Sequence, residues 1–334
     1  MPTGSTIHLT RSAAIYGFGE VLARLGHEPH QFVRQAGLPY ACLSEAELRI
    51  PTLAMLRMLE SAAEQTGVHD LGLRIAANRP DSSSGAFGVM VREQATLREM
   101  LQAMVQNIWI QIEGLNFALE EAGGLATFAI EFVDPQGQPV TQAVELVAAN
   151  VARSLQHVLG PYWEPEMVIF RHSKPESLST HLTAFRRVPF FMHDRNAIVM
   201  LSADLDRSMP RADPEAAKHL AHYLQLIAGS RQQDFIGKVR QLIAALLPQG
   251  LCRMDRLARQ LDIHERTLHR RLEAEGTSFG QLLLEVRTEL LETYLAPGQR
   301  SLTEISELLG FSSLSAFSRW KRGLPKQTTL RLSE

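Results

Sequence analysis

Apolar residues recur every three or four positions through much of this chain, the period at which a helix buries one face. Near the start Ile15, Phe18, Leu22 and Leu25 share such a face, a second short helix ends at Gly37-Leu38-Pro39, and a third runs over 51–67. The same period predicts helices over 96–110, 140–159 and 178–185. Between them the pattern changes. Residues 115–119, 126–132 and 167–170 read as strands, and 190–200 as extended chain with a turn at Asp194-Arg195-Asn196, while Glu120-Glu121 falls where a turn is expected. The sum is an α+β N-terminal domain with a small, mainly antiparallel sheet. Beyond it, Asp213-Pro214-Glu215 is an N-cap followed by proline at the first helical position, with Leu220, Leu224 and Ile227 at helical spacing up to Gly229. Another helix over 235–247 stops before Pro248-Gln249-Gly250, and from there the chain is all helical.

The last hundred or so residues repeat one pattern twice. RMDRLARQLDIHERTLHRRLEA at 253–274 is a short helix, a break at Leu261-Asp262-Ile263 and a second helix. SLTEISELLGFSSLSAFSRWKR at 301–322 does the same, with its break at Gly310-Phe311-Ser312. In the first copy Leu257, Leu261, Ile263, Leu268 and Leu272 bury one side, and Arg266, His269, Arg270 and Glu273 stand on another. That polar stripe has the chemistry of base reading. Arginine grips guanine with two donors, histidine can donate or accept at a base edge, and Arg256, Arg259 and Arg271 are placed to meet phosphates. A single such pair is equally well an amphipathic hairpin with a solvated basic side. Two in tandem point to two probes for the major groove of double-stranded DNA, which admits one α-helix at a time.

The stretch from about residue 233 to 321 resembles the DNA-binding domain of the AraC/XylS family of bacterial transcription regulators. The residues that carry the resemblance are ERTLHRRLEAEGTSFGQLLLEVR, then Ser301-Leu302-Thr303-Glu304-Ile305, then LGFSSLSAFSR, in the family's order and spacing. It implies a seven-helix-type domain of two helix-turn-helix units joined by a long helix over 279–295. By the same match Arg266, His269 and Arg270 face one groove segment, and Ser315, Ser318 and Arg319 face the next; Lys321, where the chain departs from the family's register, is a further candidate DNA contact. The front part, about 10 to 210, resembles the arabinose-binding-type sensor domain of one branch of that family through GAFGVMVREQATLREML and FRHSKPESLSTHLTAFRRVPFFMHDRNAIVMLSADLDRSMP. This implies an effector-sensing, self-associating domain without naming the effector. The tail departs from the family pattern. SRWKRGLPKQTTLRLSE reads as if one residue were missing after Arg319, and Pro325 with Thr328-Thr329 makes a poor closing helix. Leu308, Leu309 and Trp320 are therefore expected to pack less well than their first-unit counterparts.

Composition narrows the function classes. At 334 residues the length suits two domains, and the two cysteines, Cys42 and Cys252, have neither disulfide nor zinc spacing. No stretch resembles a signal peptide or is long enough to span a bilayer, so a cytoplasmic, nucleoid-associated protein with no membrane partner is expected. Residues 231–334 hold 16 basic and 12 acidic side chains, against 18 and 24 in the preceding 230. The basic excess sits with the repeated pattern, as phosphate neutralisation requires. No dinucleotide fingerprint, Walker loop or GxSxG occurs, His264 and His269 are five apart where a zincin needs four, and His219 and His222 lack a third ligand. No enzyme, metal or cofactor is expected. Phe87, Trp109, Phe117, Phe132, Phe170, His172, Phe185 and Phe190 suit either an effector cavity or a plain core, with Trp109 and with Arg171 or His172 as the polar candidates. The expected organisation is a sensing and oligomerisation domain over 1–210, a helical connector over 211–232 and a DNA-binding domain over 233–334. The partners are promoter DNA, a small effector, a second copy of the chain and, for an activator, RNA polymerase. A sensor or dimerisation protein whose altered C-terminus no longer binds specific DNA is the alternative.

Overall fold

The computed structural model describes residues 8–324 apart from 134, 136, 210, 211, 233, 234, 251, 262 and 296–300. Two compact units result, one of His8–Ala36 with Cys42–Ser230, the other with its main segment from Arg231 onward.

In the first unit β1 (Leu9–Arg11) pairs antiparallel with β2 (Arg49–Pro51), and α1 (Phe18–Arg24) and α2 (Pro29–Gln35) lie between them in sequence. Then come α3 (Thr52–Thr66), α4 (Leu71–Ala77), α5 (Gly85–Arg92) and α6 (Leu97–Asn107). A second sheet is built from β3 (Leu115–Ala122), β4 (Leu125–Phe132), β5 (Met167–Ile169) and β6 (Ala197–Leu201), in the order β3-β4-β6-β5 and antiparallel throughout. The turn expected at Glu120-Glu121 is displaced. Both residues lie within β3, opposite Thr127 and Ala126, because the strand keeps its ladder until Gly123-Gly124.

Helix α7 (Thr141–Leu159) is the hub of this unit. It packs on α3, α4 and α8 (Ser179–Phe185) and on β4 and β6, and most of its residues from Gln142 to Leu155 are buried. Its contact with α4 is as close as backbones allow: a Cβ on Gly72 would meet Gln142 O at 2.1 Å, and Gly72 N donates to Gln142 Oε1 at 2.9 Å. Helix α9 (Pro214–Gln232) begins as its sequence predicts, with Asp213 Oδ1 accepting from Ala216 N at 3.0 Å, and continues through Gly229.

The second unit contains α10 (Phe235–Leu246), α11 (Met254–Gln260), α12 (Glu265–Ala274), α13 (Phe279–Tyr294), α14 (Leu302–Leu308) and α15 (Leu314–Arg322). The closing segment with Pro325, Thr328 and Thr329, where a seventh helix would have to lie, is outside the described residues. The expected looseness of the second repeat is not found for Leu309, which is 0 % exposed against 2 % for Leu261. Leu291, Ile305, Leu309, Phe317 and Leu324 form one buried cluster, with Tyr294, Phe311 and Trp320 packed against it. The physical reason is aromatic mass: Phe311 lies 5.7 Å from Phe317 and 5.1 Å from Trp320, ring centre to ring centre, and packs on the same cluster. Leu302, at the start of α14, is half exposed.

Candidate nucleic-acid interface and effector cavity

The first candidate reader is α12. Leu268 and Leu272 are buried, and four positions on the other side, Arg266, His269, Arg270 and Glu273, are exposed. The helix starts at a His264 cap whose Nδ1 accepts from Arg266 N at 3.2 Å. His269 Nδ1 lies 3.2 Å from Glu273 Oε2, one turn on, which orients both side chains along the exposed stripe. Arg266 and Arg270 stand one turn apart on the same surface as that pair. Arg271 is placed differently: it is half-buried, with its guanidinium 5.6 Å from the Phe235 ring centre. Arg259 forms an ion pair with Asp255, and Arg256 is half-buried.

In the second candidate reader Ser313 Oγ caps α15 by accepting from Ala316 N at 3.2 Å. Phe317 points inward, Ser315, Ser318 and Arg319 are exposed, and Lys321 is half-buried. The preceding helix α14 opens on a reciprocal cap, with Ser301 N donating to Glu304 Oε2 at 2.7 Å and Glu304 N to Ser301 Oγ at 3.2 Å. Arg287, on α13, pins the turn of this unit: it lies 4.4 Å from the Phe311 ring centre and donates to Leu309 O at 3.1 Å. Each helix-turn-helix thus presents a short polar stripe held by an apolar inner side.

The sensor unit holds a cavity of ≈ 320 Å³ walled by α5, α6 and α7, and a neighbouring one of ≈ 100 Å³. They share Ser84, Phe87, Met104, Asn150 and Ser154 as walls. Of the aromatics named from sequence, Phe87 and Phe117 line these cavities, whereas Phe170 and Phe185 are fully buried core and Phe190 is exposed. Trp109 lies outside both, its indole Nε1 donating to Gln106 O at 3.1 Å. Arg171 is engaged with Asp194 O and Glu131. His172 sits in a separate cluster, stacked 4.9 Å from Phe170, with Nε2 3.4 Å from Glu145 Oε1, to which His181 Nε2 also comes within 2.7 Å. Burial holds the His172 imidazole below its usual pKa, against the pull of Glu145. Burial also pushes the Cys42 and Cys252 thiols up to about 12, which leaves them protonated and unreactive near neutral pH.

Comparison with known proteins places both parts. Residues 26–209 match the family model described as the arabinose-binding domain of AraC transcription regulators, N-terminal, and residues 257–324 match a helix-turn-helix domain model. The chain belongs to the AraC family of transcription regulators. It is 28 % identical over 325 residues to the HTH-type transcriptional regulator VirS of Mycobacterium tuberculosis, covering 96 % of each chain. It is 25 % identical over 333 residues to the ornithine utilization regulator of Pseudomonas aeruginosa, covering 97 % of each. Among solved structures, the transcriptional regulator CdpR of Pseudomonas aeruginosa aligns with a TM-score of 0.37 at 20 % identity, over 85 % of this chain and 96 % of that one. As an AraC-family member the protein is a bacterial-type DNA-binding transcription regulator with a sensor-type N-terminal domain. Among the described residues no helix is long and apolar enough to cross a membrane.

Three polar residues at the cavities, Arg79, Asn150 and Arg153, carried no signal in the sequence of this AraC-family chain. Arg79 follows α4, whose seven residues LGLRIAA are too uniformly apolar to mark a face. Arg153 reads like any arginine on the polar side of a long helix until the fold turns that side toward α4.

Proposed function

We propose that this regulator reads its operator with α12 and α15 in two segments of the major groove and that a small molecule held in the sensor unit changes that binding. Arg266 and Arg270 supply bidentate donors to guanine, His269 and Glu273 work as a pair at the neighbouring base edges, and Ser315, Ser318 and Arg319 read the second segment. Arg271 and Lys321, both half-buried, act at the phosphates beside each reader. The observation that carries this reading is the double one on α12: an inner side with Leu268 and Leu272 fully packed, and an outer stripe of four polar side chains left to solvent. Burial of Ile305, Leu309 and Phe317 in the second helix-turn-helix as complete as that of Leu257, Leu268 and Leu272 in the first supports use of both readers rather than one. The protein works in the cytoplasm as a second-copy assembly on promoter DNA, and with RNA polymerase where it activates. Regulation and not catalysis is its role, in keeping with its relatives.

Gel-shift titration on the chain's own promoter region tests the reading. Arg270→Ala should weaken binding by about 1–3 kcal/mol, roughly ten- to a hundredfold, with its melting temperature unchanged. Wild-type affinity in that variant would remove α12 from the interface.

A further inference from the structure

We propose that the two adjoining sensor cavities take an amphipathic small molecule, with a short alkyl chain in the smaller space and a bulkier polar head in the larger. This deepens the effector-responsive reading above and rests on it.

The two spaces differ in depth and in chemistry. Ile108, Ile112, Leu115, Phe117, Val147 and Val151 wall the smaller one, and all six are buried. The larger one is bordered by Gln156, His157 and Arg186, the last two exposed, so its polar side lies toward solvent. Phe87 and Met104 border both, which sets a polar mouth beside an apolar end. Volume decides which part of a ligand goes where. An apolar cavity of about 150 Å³ holds the six carbons of benzene. The ≈ 100 Å³ of the smaller space therefore suits a chain of roughly four carbons and is too small for a ring, whereas the ≈ 320 Å³ of the larger admits one.

The polar side chains beside the smaller cavity are engaged within the protein. Asn150 Nδ2 donates to Leu146 O at 2.9 Å and its Oδ1 accepts from Arg153 Nη2 at 3.2 Å, while Ser154 Oγ donates to Asn150 O at 3.0 Å. Gln111 Nε2 donates to Ser84 O at 2.9 Å and its Oε1 accepts from Arg11 Nη1. Arg79 Nε donates to Ser83 Oγ at 2.9 Å and its Nη1 to Ala14 O at 3.1 Å. A polar ligand group placed there gives up its water for partners already in use, which costs affinity. An alkyl chain loses nothing on entry and gains about fourfold in affinity for each methylene buried.

The test titrates the full-length protein with para-alkylphenols from methyl to heptyl, whose ring belongs in the larger space and whose chain belongs in the smaller. Calorimetry should show affinity rising about fourfold per methylene as far as 4-butylphenol and levelling off beyond it, with melting-temperature shifts in the same order. 4-(2-Methoxyethyl)phenol has the length of 4-butylphenol with an oxygen in its chain, and should bind at least tenfold more weakly. Ile108→Ala removes three carbons from the wall, so in that variant the rise should continue to at least 4-hexylphenol. The wild-type series needs no variant, so a misfolded Ile108→Ala would not spare the proposal. Affinity indifferent to chain length, a methoxyethyl compound equal to the butyl one, or no melting shift anywhere in the series would each overturn it. Promoter gel shifts run on the same samples separate the two claims. Retained DNA binding with no alkylphenol response sinks the ligand class alone, and loss of DNA binding sinks the regulatory reading beneath it.

Discussion

At the scale of single residues, two positions carry consequences that can be measured directly. Gly310, in the turn of the second helix-turn-helix, has φ +72°, and a Cβ there would meet Leu247 O at 2.4 Å. The backbone conformation and the space both exclude a side chain, so Gly310→Ala should cost about 1–3 kcal/mol, read as a lower midpoint in denaturant. An unchanged midpoint would mean that the turn is not built as described. In the sensor unit, burial raises the Glu60 carboxyl to about 7, with Glu145 adding to the push and the Gln142 N–H, donating at 2.7 Å, opposing it. A raised folded-state pKa means that the native protein binds the proton more tightly than the unfolded chain does. The stability contributed is complete below the ordinary value of 4.5 and is lost as pH rises through about 7. Glu60→Gln keeps the acceptor and removes the charge, so it should gain about 1–2 kcal/mol over the wild type at pH 8 and almost nothing at pH 4.5, after allowance for partial exposure. A difference that did not grow with pH would show that Glu60 is solvated.

At the scale of elements, the second helix-turn-helix is a unit with an aromatic core of Phe311, Phe317 and Trp320. Phe317→Ala removes the centre of the Phe311, Phe317 and Trp320 group and should cost about 3–5 kcal/mol in that unit, with the operator half read by α15 losing protection first. Loss of protection on both halves at once would mean that the two readers fold as one. The two repeats were legible in sequence because a short amphipathic helix, a turn and a second helix each leave a periodic mark, and α11, α12, α14 and α15 all fall within 253–274 and 301–322. Elements without such marks were not. α4 is short and nearly uniformly apolar, α5 starts at Gly85 and carries Gly88, both poor helix formers, and β1 and β2 are three residues each. The packing of Leu309 was misjudged for a related reason. Burial by Phe311 and Tyr294 depends on how α13 lies beside the turn, which no local spacing records.

At the scale of the whole molecule, the family and the duplicated helix-turn-helix were visible from the chain alone, and the cavity was not. Periodicity reports which residues face inward. It does not report which inward-facing polar residues end up around a common space, so Trp109 and His172 were natural candidates while Arg79, Asn150 and Arg153 were invisible. The account of the molecule stands or falls on two readers acting in one chain. Base-by-base interference across the operator in the chain's own promoter tests this most directly, with wild type, Arg270→Ala and Arg319→Ala compared. The account predicts two clusters of essential bases on one face of the DNA, about one helical turn or roughly 34 Å apart, with Arg270→Ala weakening one cluster and Arg319→Ala the other. A single cluster, indifferent to Arg319→Ala, would contradict it.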